Sequence, residues 1–496
     1  SKETGNFSKK FLDFISGESE SYFPSEKNIL SVLENLNFSL EDRALLCDDL
    51  KSQYKGIEVS ESVNKNLELL KSENTYTITT GHQLNIFTGP MYVIYKIVSA
   101  IKLAANLSKK YPENNFIPVY WMASEDHDFE EIQSFHTGGE TYKWDIESRG
   151  PVGNLKLESI ESILKEDLDI PDFFVDAYQN SKSLSEAVRK YMNSLFGKFG
   201  LIIIDPNSKN LKSSITDIIE DDIINNSIEK IEKSSDSSSE VYVRKINFFF
   251  QKSDFRERIE KSDTYNILSS ELSYSEEEIK NKIQLSPESF SPNVITRCLY
   301  QQRILPNICY VGGPAEIIYW TSFKKFFSHY KVPYPVLVPR DFILLLTTKA
   351  QKKIEKLKLS TADLFLDKDK IENKVMSVHT DDSKNFSREI KEVQKILEGL
   401  SEKFGIEDST MKPHVLATAK NIEKRLLQIE RRYINKQKEN SKFLIDKVGS
   451  LFNFINPGNS IQERRENIIS FYDSELIDNL YQNLDPLDLN FKILKK

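Results

Sequence analysis

A chain of 496 residues exceeds one ordinary core, so a large domain with insertions, or two to three domains, is predicted. Its formal net charge of −8 argues against a nucleic-acid partner, since such proteins carry a basic domain or stripe, but leaves room for a basic pocket around a small anion. Cys47, Cys298 and Cys309 are too few and too scattered for a disulfide framework or a thiolate zinc site, and with no signal core and no apolar run of membrane-spanning length they predict a reduced, cytoplasmic setting.

The first strand is predicted at 76–80, an apolar and β-branched run that ends in Gly81. The loop Gly81–Gly89 follows, and a helix over 91–109 carries Ile94, Ile97, Val98 and Ile101 on one stripe. A second strand at 116–122 completes a βαβ unit, whose crossover is right-handed. Thr88 is placed as the N-cap of the helix and Pro90 in its first turn. A helix N-terminus seats anions, Gly81 and Gly89 allow close backbone approach, and His82 and Gln83 can donate. The alternative is an ordinary capped turn with His and Gln facing the core. The loop matches neither the dinucleotide fingerprint nor the Walker form.

Behind the second strand, Glu125-Asp126-His127-Asp128 crowds three carboxylates and an imidazole into four positions. Such a cluster can seat a divalent metal, orient an amine or supply a general base. The alternative, an acidic cap to a helix over 129–135, accounts for Asp128 and little else. Residues 138–160 read as β-hairpin material, 201–205 as a third core strand, 234–239 as a Ser-rich surface loop, and 240–270 as a further strand group. The fourth and fifth core strands fall at 308–311 and 335–338. Near them stand Asn293–Arg297, then Gly312, Gly313, Glu316 and Trp320, then Arg340. Arg297 and Arg340 each suit a bidentate carboxylate or a structural ion pair.

The later cysteines read as core thiols, and His136, His329, His379 and His414 as surface or structural. From Phe386 the apolar spacing turns to 4, 3, 4, 3 and 4 through Ile390, Val393, Leu397, Leu400 and Phe404, a heptad seam. With a longer helix after Pro413 and a reversal at 405–413, an antiparallel helical hairpin results. Basic runs there read as solvated faces, and 463–481 reads as an amphipathic helix.

Across these motifs the sequence resembles the BshC family, the cysteine-adding enzymes of bacillithiol biosynthesis. The matching segments are 80–90 with Tyr95 and Lys96, 118–128, 200–206, Asn247 with Arg256 and Arg258, 293–297, 310–320, 336–340 and 462–464. They run in the same order over nearly the full length. His82 stands where the family commonly has Gln, and Cys298 where Pro is usual.

The resemblance implies an α/β fold: a Rossmann-type parallel-sheet core similar to class I synthetase-like nucleotidyltransferases, with insertions at about 138–198 and 207–290. The expected division is a core over 1–382, an antiparallel coiled-coil hairpin over 383–453 through which two copies pair, and a helical segment over 454–496 packing back on the core. The implied reaction condenses L-cysteine with glucosaminyl malate, with an adenine nucleotide (ATP, giving ADP or AMP) activating the carboxyl and Mg²⁺ accompanying it. No metal is expected to be held by protein side chains alone, and no nucleic acid or membrane is expected as partner. Gly81, His82, Gln83, Thr88, Gly89, Tyr92 and Lys96 would take the anionic group. Glu125, Asp126 and Asp128 would engage the amine or a metal, with His127 as general base. Arg297 and Arg340 would take the malate carboxylates, and Asn247, Gly312, Gly313, Glu316 and Trp320 would complete the binding wall. Two other readings stand beside this one: an adenylating enzyme of the same fold acting on another amine, and a nucleotide-binding dimeric scaffold. Polar residues at three separate strand ends weigh against the scaffold.

Overall fold

The structure is a computed structural model that describes residues 7–17, 22–236, 238–379, 386–407, 410–440 and 442–496. Residues 1–344 and 460–494 form one compact unit, and 345–459 with 495–496 form a second.

In the first unit, β1 (Thr75–His82) leads through α1 (Met91–Lys110) to β2 (Asn115–Met122). A hairpin, β3 (Ser134–Thr137) and β4 (Glu140–Lys143), and three helices precede β5 (Ile202–Ile204). Then come β6 (Phe248–Gln251), β7 (Arg256–Lys261), β8 (Tyr265–Ile267), β9 (Ser273–Tyr274) and β10 (Phe290–Pro292). Helix α2 (Val294–Ile304), β11 (Asn307–Gly312), α3 (Pro314–Tyr330) and β12 (Val336–Pro339) follow. All five expected core strands join one parallel sheet, in the order β12-β11-β1-β2-β5. Their side chains are buried on both faces, which is why they read as near-continuous apolar or β-branched runs.

The strand order reverses between β1 and β11. Chain connections leave β1 toward β2 on one side, and β11 enters on the other, so the carboxyl ends of these strands open a crevice. Register places Gly81 beside Trp121 and His82 beside Met122, and a Cβ on Gly81 would lie 3.3 Å from that of Trp121. β1 and β2 thus run close together up to the rim. A second, antiparallel sheet in the order β10-β6-β7-β8-β9 occupies the expected later insertion.

Three local expectations are corrected. No helix forms at 129–135. Gly138 and Gly139 both have positive φ, 63° and 94°, which makes a two-residue hairpin turn and starts β3 at Ser134. Thr88 does not cap α1. Pro90 occupies the N-cap position without a side-chain cap hydrogen bond, and Phe87, Thr88 and Gly89 form a buried bend with φ of 48°, 71° and 72°. The tail is not one helix over 463–481. It forms short 3₁₀ turns at Gln462–Arg464 and Ile468–Ser470 before a helix at Leu476–Asn483. Its residues are committed to the core: Glu463 pairs with Arg340, and Asn467 donates to the carbonyls of Phe87 and Gly89 at 2.9 and 2.8 Å. The tail also covers α1, which buries 13 of its 20 residues instead of a single stripe.

The second unit contains α4 (Thr348–Lys356), α5 (Lys368–His379), α6 (Ser387–Glu407), α7 (Met411–Asn440) and α8 (Lys442–Ile455). The contacts divide the chain at 344/345 where the sequence suggested 382/383, because α4 and α5 pack on α8. α6 and α7 are antiparallel: Phe386 donates its N–H to Glu430 at 3.2 Å and stacks on Tyr433. Pro413 sits in the first turn of α7, where its missing N–H has no helical partner to lose. Part of the expected reversal, residues 408 and 409, and the side chain of Phe404 lie outside the described residues.

Replacing Asn467 by Ala strips two buried carbonyls of their donor while keeping the backbone. The Asn467→Ala chain is expected to be about 2 kcal/mol less stable in urea denaturation. An unchanged midpoint would remove the clamp as the reason for the tail's irregular path.

Candidate active site

A cleft of about 1110 Å³ opens at the carboxyl ends of β1, β2 and β11, in the crevice the strand reversal creates. Of the sequence-predicted residues, Gly81, His82, Gln83, Tyr92, Glu125, Asp126, Arg297, Gly313, Glu316 and Arg340 line it. The second sheet contributes Phe249 and Arg256, and the tail contributes Arg464.

Lys96 lies beneath this surface and ties it together. Its buried Nζ donates to the Gly81 carbonyl at 2.6 Å and to Glu316 at 2.7 Å. Glu316 also accepts from the Gly313 N–H and the Tyr310 hydroxyl, both at 2.8 Å. Burial alone would raise the Glu316 carboxyl, but Lys96 and these donors hold it at about 2, so the pair is ionised. Burial in turn draws the Lys96 ammonium below its ordinary value, with Glu316 opposing. His82 faces the cleft as a neutral imidazole, driven to about 3 by burial and then by Lys96, and its Nε2 lies 3.3 Å from the Tyr92 hydroxyl.

The far half of the Gly81–Pro90 loop is a structural bend. Phe87 N–H donates to the Tyr178 hydroxyl at 3.0 Å, and Met91 N–H is taken by the Glu466 carbonyl at 2.8 Å. The anion seat expected at the head of α1 is therefore filled by protein. Gly89 is required by its φ of 72° and by Asn85, whose Cβ would lie 2.6 Å from an added Cβ. Neither Thr88 nor Gly89 reaches the cleft wall.

The acidic cluster separates into four different environments. Glu125 is buried against Lys212, also within reach of Gln251 Nε2 at 3.3 Å, so its charge is spent inside the protein. Asp126 faces the cleft and accepts from Gln83 Nε2 at 2.9 Å and the His127 N–H at 2.8 Å. Burial works to raise it, yet His127, Arg256 and Gln83 together leave it well below the usual carboxylate range. Asp126 is a fixed anion suited to an ammonium group and a weak proton acceptor. His127 Nδ1 lies 2.8 Å from Arg256 Nη1. An arginine only donates, so Nδ1 is the acceptor and the ring hydrogen sits on Nε2. That leaves no free lone pair for the general-base role. Asp128 is exposed and stands outside the wall.

The arginines sort in the same way. Arg340 makes a buried fork with Glu463 at 2.6 and 3.0 Å, the structural alternative for that residue. Arg297 contacts Gln301 and Cys298 and lies 6.0 Å from the centre of the Tyr310 ring. Among the described residues no carboxylate pairs with Arg244, Arg297 or Arg464, three cations turned to one cleft. Trp320 is core, stacked on Tyr310 at 4.5 Å, and Gly312 is buried at the end of β11. Asn247 is buried one layer behind the wall.

Arg244, Arg256, Arg464 and Lys212 escaped sequence reasoning because an insertion and the tail bring them in. Arg256 and Arg464 stand within segments matching the resembled family, the one signal that marked them. Among the described residues no three His, Cys, Asp or Glu side chains converge as metal ligands, and no helix is long and apolar enough to cross a membrane.

Over residues 7–341 the chain matches the family model described as bacillithiol biosynthesis BshC, N-terminal Rossmann-like domain. Over 343–496 it matches bacillithiol biosynthesis BshC, C-terminal coiled-coil domain. A Flavobacterium psychrophilum protein named "Putative cysteine ligase BshC" is 37% identical over 521 residues, covering 100% of this chain and 98% of the relative. Proteins of that name from Cytophaga hutchinsonii and Salinibacter ruber are 35% and 26% identical, covering 99% and 88% of this chain and 97% and 86% of theirs.

Two outcomes test the electrostatics. Lys212→Met leaves Glu125 buried without its cation and is expected to cost about 3–5 kcal/mol, with Glu125→Gln in the same chain recovering much of it. Equal loss in the single and double variants, read by denaturant melts, would refute the pairing. For Glu316 the folded value lies below the ordinary 4.5, so its contribution is full above about pH 4.5 and is lost as pH falls toward 2. The stability difference between the native chain and Glu316→Gln should shrink over that window, and a difference flat with pH would contradict an ionised pair.

Proposed function

The chain belongs to the BshC family of bacillithiol biosynthesis, and on that premise we propose that it is a ligase adding L-cysteine to the amino group of glucosaminyl malate. The observation that carries this reading is one cleft holding three unpaired arginines beside Asp126, whose carboxyl is held well below the usual range. Arg244, Arg297 and Arg464 suit the malate carboxylates, and Asp126 suits an ammonium group.

Amide formation in water needs an activated carboxyl. A cysteine carboxylate oxygen attacks a phosphorus of ATP, and diphosphate or ADP departs. The glucosamine nitrogen then attacks the acyl carbon. AMP or phosphate leaves with the bonding electron pair, and the nitrogen's proton passes to solvent. ATP enters as a co-substrate with its own Mg²⁺. Neutral His82, with Tyr92 beside it, supplies uncharged hydrogen bonding at the same wall.

Ile396, Leu416, Leu427 and Ile429 leave apolar surface exposed on α6 and α7, which supports pairing of two copies through the coiled coil. The three cysteines are free thiols, in keeping with a cytoplasmic setting.

Incubating the full chain with ATP, Mg²⁺, cysteine and glucosaminyl malate should yield the cysteinyl amide by mass spectrometry, with AMP or ADP naming the activation step. Product independent of cysteine, or none at all, would overturn the assignment. Arg297→Gln should raise KM for glucosaminyl malate about 10- to 100-fold, the loss of one or two charge-assisted hydrogen bonds.

A further inference from the structure

Of the cleft's three unpaired arginines, two share a common buried anchor. Asn247 is 1% exposed and immediately precedes β6. The β6–β10 register, Phe248 opposite Pro292, sets it beside Asn293, the N-cap of α2. Its side-chain oxygen accepts from the Arg244 N–H at 3.1 Å and from Asn293 Nδ2 at 3.0 Å. Its side-chain nitrogen donates to the Arg244 carbonyl at 2.9 Å. Its own carbonyl accepts from the Asn293 N–H and the Thr296 hydroxyl, each at 3.0 Å.

One amide therefore grips the backbone of Arg244 on one side and the first turn of α2 on the other. That turn carries Arg297 into the cleft. The anchor itself is held by Asp222, fully buried, whose two oxygens accept from the Asn247 N–H at 2.5 Å and Nδ2 at 3.0 Å. Among the described residues no cation pairs with Asp222, and burial lifts its carboxyl to about 7. An acid kept at that cost and directed wholly at one asparagine points to a demand for geometry.

We propose that Asn247 is a positioning residue that fixes the separation of Arg244 and Arg297 for the carboxylates of the anionic substrate. This rests on the reading of the cleft as a carboxylate site. Two guanidinium groups on different segments engage a dicarboxylate together only if their spacing is set before binding, since otherwise ordering them consumes binding energy. No atom of Asn247 needs to touch the substrate.

The test uses the full chain with L-malate as binding probe, followed by calorimetry, and glucosaminyl malate with cysteine in steady-state assays. Asn247→Ala is expected to weaken malate binding about tenfold and raise KM for glucosaminyl malate by a similar factor. KM for cysteine and kcat should stay within about twofold. In an Arg244→Gln background the same change should cost only about threefold, because one of its two clients is already gone. Where Asn247→Ala fails to fold, Asp222→Asn, which removes one of the anchor's two acceptors, should give an intermediate loss of malate affinity. Unchanged affinity in the folded variant, an equal loss in both backgrounds, a fall in kcat with both KM values unchanged, or no malate binding by the native chain would each overturn the proposal. A native chain that binds malate in this way but forms no cysteinyl product would instead remove the proposed reaction and leave the anchor standing.

Discussion

The buried pair Lys96–Glu316 is the contact on which the rest of the cleft depends. It spans the point where strand order reverses, joining the end of β1 and the body of α1 to the end of β11 and the head of α3. A parallel sheet has no hydrogen bonds to offer across the crevice beyond its strand ends. The pair supplies that connection with an ammonium bonded to a backbone carbonyl and to a carboxylate already satisfied by an N–H and a tyrosine. Breaking either partner strands a charge in a low-dielectric site, so the geometry is held tightly.

The same principle sorts every charge near the cleft. Lys212–Glu125 and Arg340–Glu463 are buried and paired with each other. Still turned to the cleft are Asp126, held low by neighbours that donate to it, Glu131, which accepts from Gln83, and three arginines with no acidic partner among the described residues. Charges spent on structure fix the positions of charges left for chemistry, and a site arranged in advance loses little on reorganisation when a substrate arrives. Type and spacing alone do not separate the two groups. Glu125 and Asp126 are adjacent in the chain, yet one faces Lys212 and the other faces the cleft.

Much of the architecture was legible. The core strands read as short apolar or β-branched runs ending in Gly, Asp, Pro or acidic residues, and the heptad spacing from Phe386, with the reversal before a second helix, marked a helical hairpin. The misses have specific causes. The hairpin reads from the sequence at 138–160, but the Gly138-Gly139 turn pairs 134–137 with 140–143, where the acidic stretch before it suggested a helix. Thr88 looked like a cap because Ser, Thr and Asp before a helix usually are, whereas Tyr178, Tyr191 and Asn467 enclose that bend from elsewhere in the chain. The tail carried helical periodicity, but its side chains gain more from Arg340 and the Phe87 carbonyl than from continuing a helix.

The sequence by itself determined the parallel sheet, the place where its loops converge, the coiled coil and the family, because these follow from local periodicity and from motifs contiguous in the chain. Only the tertiary structure decided which polar residues line the cleft. Arg244 and Arg256 arrive from an insertion and Arg464 from the tail, while Glu125, Arg340 and Asn247 withdraw into bonds with residues between about 25 and 130 positions away. Whether a charge serves the fold or a ligand depends on what packs against it, and that neighbour is set by long-range contact, which no local pattern records.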